Sequence, residues 1–120
     1  MIKQRGLPAN KILLGIPNYS HIYKKNSSGQ YEHVDGFYNY EYIMARPGVQ
    51  TIFNTVSQES EATWSDGTGS YKAYYCDAKS VAARLELVNT YALKGACFWV
   101  LGHEDPAIYP ALKAKFPESR

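Results

Sequence analysis

Three histidines, His21, His33 and His103, come first, because imidazole binds metal ions and carries protons near neutral pH. They are scattered, with no second ligand at the short spacing of a metal-binding pair, so they read as surface or hydrogen-bonded residues. No serine-centred elbow, phosphate-binding glycine loop or Cys-x-x-Cys pair occurs, and neither a metal nor an organic cofactor is expected. Glu104 and Asp105 form an adjacent carboxylate pair after an apolar run, where barrel enzymes place catalytic groups. Pro106 follows, and the simpler reading is that Asp105 caps a turn with Pro106 in its first helical position. Asp35-Gly-Phe-Tyr-Asn-Tyr-Glu41 opens like an acidic active-site run, yet it lacks intermediate carboxylates and follows no buried strand. It reads as a turn leading into a short helix. Cys76 and Cys97 are too few for a disulfide framework, and their apolar surroundings predict two buried free thiols.

The elements that would position these groups fall into three stretches. Lys11-Ile-Leu-Leu-Gly-Ile-Pro-Asn-Tyr19 is apolar without alternation, as in a strand covered on both faces, with pairing expected to stop near Pro17. Between residues 20 and 76, the turn clusters Asn26–Gly29 and Asp66–Gly69 separate short runs such as Thr51–Val56 and Ser70–Tyr75. These predict hairpins of an antiparallel sheet, with a short helix over Tyr38–Arg46 ended by Pro47-Gly48. After residue 76 an α/β rhythm returns. Asp77 is a candidate N-cap, Val81, Leu85, Val88 and Ala92 recur at helical spacing, and Gly95 is expected as the left-handed residue past the helix end. Ala96–Leu101 is a second continuous apolar strand. A turn at Pro106 and a helix restarting at Pro110 are expected to follow.

Composition narrows the function classes. With 45% apolar and 20% charged residues in 120, the chain is ordinary for a single globular unit. A net charge of +2 without a basic run argues against a nucleic-acid partner. No stretch approaches the roughly 20 apolar residues of a membrane-spanning helix, so no membrane partner is expected. The opening Met1-Ile-Lys-Gln lacks the apolar core of a signal peptide. Eleven tyrosines suit both exposed β-sheet and carbohydrate contact, since each offers a flat apolar face and a hydroxyl.

Three stretches in register carry a resemblance. Lys11-Ile-Leu-Leu-Gly-Ile-Pro-Asn-Tyr-Ser20 resembles the seventh barrel strand of glycoside hydrolase family 18, the chitinase-like family, with its pattern K-x-x-x-G-x-P-x-Y-G. Tyr75-Cys-Asp-Ala-Lys-Ser80 is similar to the approach to that barrel's seventh helix. Gly95-Ala-Cys-Phe-Trp-Val-Leu-Gly-His-Glu-Asp-Pro106 resembles its eighth strand, closest to the bacterial branch with spore-cortex and peptidoglycan-associated members. Residues 20–76 are similar to the chitinase insertion domain found between strand seven and helix seven.

The resemblance implies an α+β chain, the C-terminal segment of a (β/α)8 barrel carrying a small antiparallel insertion. Its parts are residues 1–19 (strand seven and lead-in), 20–76 (insertion) and 77–120 (helix seven, strand eight and helix eight). It implies retaining hydrolysis of β-1,4-linked N-acetylhexosamine glycans, chitin or peptidoglycan, in which a glutamate protonates the leaving oxygen and the substrate's N-acetyl group attacks. That glutamate ends an Asp-x-x-Asp-x-Asp-x-Glu motif, which this chain lacks, so the chain by itself is expected to be inactive and a fragment of the whole enzyme. What carries over is binding. Trp99 matches the tryptophan flooring the cleaved sugar's subsite, Tyr19 a tyrosine lining it, and His21 stands where chitinases often have a substrate-contacting arginine. The parent is expected to be secreted, cell-wall or spore associated. A second reading is a non-catalytic glycan-binding or cell-wall interaction module. A third, a bare protein-interaction domain, requires Trp99 buried with no cleft beside it. Self-association is expected of the isolated chain, because two apolar strands leave open edges.

Overall fold

The computed structural model describes residues 6–116; residues 1–5, where a leader's apolar core was sought, lie outside them. The two apolar runs become strands β1 (Leu13–Pro17) and β7 (Gly95–Trp99), paired in parallel from Leu13 opposite Gly95 to Pro17 opposite Trp99. Parallel partners need a crossover connection, and helix α2 (Ala78–Thr90) is part of it. Its Val81 and Leu85 pack with Ile16, Cys76 and Ile108 into one core, to which Leu14, Ala96 and Phe98 add partly buried side chains. Helix α3 (Ile108–Lys115) closes this layer against α2.

The rest of the crossover is a five-stranded antiparallel sheet. Its strands are β2 (Ser20–Lys25), β3 (Tyr31–Tyr38), β4 (Gln50–Asn54), β5 (Glu59–Asp66) and β6 (Gly69–Tyr75), in spatial order β3-β2-β6-β5-β4. Alternation along β5 buries Ser60, Ala62 and Trp64, and one face of the sheet gathers Ile22, Ala62, Trp64, Ala73 and Tyr75 around Ile43. Ile43 belongs to helix α1 (Tyr40–Met44), which Asn39 caps through its side chain at 2.7 Å from the Tyr42 amide. Three links join the sheet to the β1–β7 layer. Ser60 Oγ donates to Asp77 Oδ1 at 2.8 Å, Arg84 pairs with Glu59 at 2.5 Å, and the Tyr40 amide donates to the His103 carbonyl at 2.9 Å.

The architecture is α+β as expected, and several local expectations are corrected. Asp35 lies inside β3 and not in a turn; its carboxylate accepts from the Gly36 amide and the Tyr38 hydroxyl, which satisfies it at an irregular point in the β2–β3 register. Helix α2 ends at Thr90, and Ala92, not Gly95, takes the left-handed conformation at φ 49°. The earlier stop lets the Lys94 amide reach the Ile12 carbonyl at 2.9 Å, so Gly95 opens β7 instead. Helix α3 starts at Ile108, before Pro110; a proline in the first turn removes only an amide that has no intrahelical partner. Cys76 is a buried free thiol and Cys97 an exposed one, because alternation along β7 turns Ala96 and Phe98 toward α2 and Cys97 and Trp99 away from it. For the same reason the outer face of the two strands is open in this chain, with Leu13 51% exposed.

Candidate functional site at the ends of the parallel strands

The open face of β1 and β7 carries a depression of about 590 Å³ lined by Gly15, Ile16, Pro17, Tyr19, Cys97, Phe98 and Trp99. Register explains its shape. Gly15 sits opposite Cys97, and a Cβ at Gly15 would meet nothing within 4 Å, so the missing side chain is the hollow itself. Pro17 sits opposite Trp99 and ends the ladder, since proline has no amide to donate. The next amide, that of Asn18, donates to the Trp99 carbonyl at 2.5 Å and holds the two strand ends together. Tyr19 follows at once, which places it on the rim of the hollow floored by Trp99. The peptide bond after Trp99, to Val100, is cis.

Trp99 is 65% exposed, so in this chain its indole is surface and not core. Tyr19 is held by a neighbour that the sequence reading did not single out. Phe37 stacks on it, centroids 4.5 Å apart and planes 22° from parallel. Phe37 itself has φ 64°, and the only hint of it in the sequence is its place after Gly36 in the misread Asp35–Glu41 run. The structure thus brings Tyr19 and Trp99 to one hollow. His21 touches Tyr19 edge-on at 5.3 Å, but it lines a separate depression with Tyr23, Glu59, Tyr74 and Arg84.

The lining of this hollow is mostly apolar and aromatic, with Tyr19 and Cys97 as its polar side chains. The nearest carboxylates in sequence are occupied. Asp105 is buried and accepts from the amides of Ala78 at 3.3 Å and Ala107 at 3.0 Å, joining the starts of two helical segments. Glu104 accepts from the Tyr109 hydroxyl and the Gly102 amide, and the phenol bond first of all holds its carboxyl below the ordinary range. Cys76 lies behind the site, its thiol pushed up by burial more than Arg84 and Ser80 pull it down, so it is an inert core group. Of the histidines expected to be surface or hydrogen-bonded residues, His33 is exposed and lies 3.0 Å from His21, to which it is hydrogen-bonded. Among the described residues no group of three or more His, Cys, Asp or Glu is arranged around a metal site, and no helix is long and apolar enough to cross a membrane.

Solved structures similar to this chain include chitinases and a spore cortex-lytic enzyme. A chitinase from Chromobacterium violaceum matches with a TM-score of 0.75 and 29% identity, covering 96% of this chain and 36% of its own. The spore cortex-lytic enzyme SleL of Bacillus cereus matches at 0.80 and 18%, covering 94% and 28%. A plant class V chitinase mutant from Cycas revoluta, in complex with (GlcNAc)3, matches at 0.77 and 22%, covering 94% and 36%. The chain therefore has a chitinase-like α+β fold and spans about a third of the length of these proteins. No protein-family model and no curated protein sequence matches it.

Proposed function

We propose that this chain supplies part of the sugar-binding cleft of a family 18 glycoside hydrolase acting on β-1,4-linked N-acetylhexosamine glycans, and that it does not supply the catalytic acid. In this reading β1 and β7 are the seventh and eighth strands of a (β/α)8 barrel. Residues 1–19 and 77–120 belong to the barrel, and residues 20–76 are the insertion. The observation that carries it is the exposed Trp99 indole beside Tyr19 at the carboxyl ends of two parallel strands, the end where barrels of this kind build their sites. An indole face stacks on the apolar side of a pyranose, and a tyrosine hydroxyl such as that of Tyr19 can hydrogen-bond a sugar oxygen. His21 packs edge-on against Tyr19 and faces the neighbouring depression, from which it positions that ring.

Titration of the chain with (GlcNAc)3, followed by tryptophan fluorescence, tests this reading. Trp64 is only 7% exposed and stacks on Tyr71, so a change on sugar addition reports Trp99. Gly15→Leu should fill the hollow without backbone strain and abolish the change. A response that survives Gly15→Leu, or none at all at saturating sugar, overturns the proposal. The alternative reading is a non-catalytic glycan-binding module, and an intact Asp-x-x-Asp-x-Asp-x-Glu in the parent sequence would decide for the enzyme.

A further inference from the structure

His21 and His33 are twelve positions apart and meet through the β2–β3 hairpin. Asn26 organises its turn, its side-chain oxygen accepting from the amides of Ser28 and Gln30 at 3.0 and 2.9 Å. Register places Tyr23 opposite His33, and two irregularities, between Ser20 and Ile22 and between Ile22 and Tyr23, swing His21 toward the same spot. The result is a separation of 3.0 Å between His21 Nδ1 and His33 Nε2.

Both rings are held from the side. Tyr19 packs edge-on against His21 and Tyr23 against His33, each with centroids 5.3 Å apart. Behind His21 lies Gly36, where a Cβ would fall 2.6 Å from Nδ1, so the imidazole occupies room that only a glycine leaves. His33 is exposed, and water reaches the pair.

We propose that His21 and His33 form a two-imidazole site for a divalent late first-row transition-metal ion, with water completing its coordination. The proposal does not depend on the glycan reading. Two nitrogens 3.0 Å apart, each about 2.0–2.1 Å from a common ion, subtend an angle of roughly 95° at it. That is the cis angle of tetragonal or octahedral coordination, the geometry of copper(II) and nickel(II), and it is narrower than the tetrahedral angle of structural zinc. Imidazole is a preferred ligand of these ions, and each ring must present its facing nitrogen unprotonated, with any proton on the far nitrogen. Glu59 lines the same depression as His21 but is ion-paired with Arg84, which leaves the two imidazoles as the protein ligands.

Nickel(II) is the probe of choice, because the exposed Cys97 thiol would reduce copper(II). Addition of NiCl2 to the full chain should broaden the imidazole NMR signals of His21 and His33 well before those of His103, and calorimetry should show one ion per chain. His21→Gln and His33→Gln should each weaken binding at least about tenfold, while His103→Gln leaves it unchanged. Gly36→Ala, at a glycine without left-handed φ, should displace the His21 ring and weaken binding in a chain whose circular dichroism is unaltered. Equal broadening of all three histidines, or binding that persists in His21→Gln or His33→Gln, would overturn the assignment.

Discussion

Ser60 Oγ donates to Asp77 Oδ1 across 2.8 Å, so the residue that caps α2 also clasps the inserted sheet to the parallel strands. The same Asp77 oxygen accepts from the Ser80 amide at 2.9 Å, and Ser80 Oγ accepts from the Asp77 amide at 3.0 Å, completing a reciprocal capping box. Loss of a cap costs about 0.5–2 kcal/mol, and an orphaned buried hydroxyl adds about 1–3. Asp77→Ala should therefore destabilise the chain more than Ser60→Ala in urea unfolding. Asp77→Asn, which can still cap, should fall between the wild type and Asp77→Ala. Equal losses for Ser60→Ala and Asp77→Ala would mean that the clasp, and not the cap, is the whole contribution.

Tyr75 sets an alkaline limit. Burial first, then the nearby Asp77 carboxylate, push its phenol from 10.0 up to about 12. A raised folded value means the native state holds the proton longer than the unfolded one. This contribution is complete below pH 10, declines as pH rises through 12, and amounts to about 2–3 kcal/mol. Tyr75→Phe should lower stability at neutral pH modestly and flatten the fall between pH 10 and 12. Parallel pH profiles for wild type and variant would refute the assignment.

Trp99→Ala separates binding from folding. Surface changes away from special features usually alter stability by no more than about 0.5 kcal/mol, whereas loss of a stacked aromatic anchor costs roughly 1–3 kcal/mol of affinity. The expected result is unchanged urea unfolding with (GlcNAc)3 affinity reduced about fivefold or more. Reduced stability with unaltered affinity would place Trp99 in the core and remove it from the cleft.

The two-stranded sheet predicts self-association. Among the described residues β1 and β7 pair only with each other, and Leu13 and Leu101 are 51% and 78% exposed. Unpaired edges beside apolar side chains template pairing with another chain. Sedimentation velocity should show mass rising with concentration, and Leu13→Lys should shift the distribution back toward monomer. A monomer at every concentration would contradict this expectation.

Much of the chain was legible from local chemistry. Asp77 as cap, the helical spacing of Val81, Leu85 and Val88, and the two apolar runs all act through neighbours a few residues away, and each lies where its sequence signals it. The Lys11–Tyr19 and Gly95–Pro106 motifs likewise point to a chitinase-like fold from sequence alone. Tertiary structure decided the rest. Whether Trp99 is core or surface depends on what covers the far face of β7, and no pattern within Ala96–Leu101 encodes that. Phe37 reaches Tyr19 only because β3 is a strand with an irregular register, whereas the Asp35-Gly36 pair within it reads locally as a turn. His21 and His33 are twelve residues apart in sequence and 3.0 Å apart in space, since hairpin register, which no single side chain specifies, sets which residues face one another.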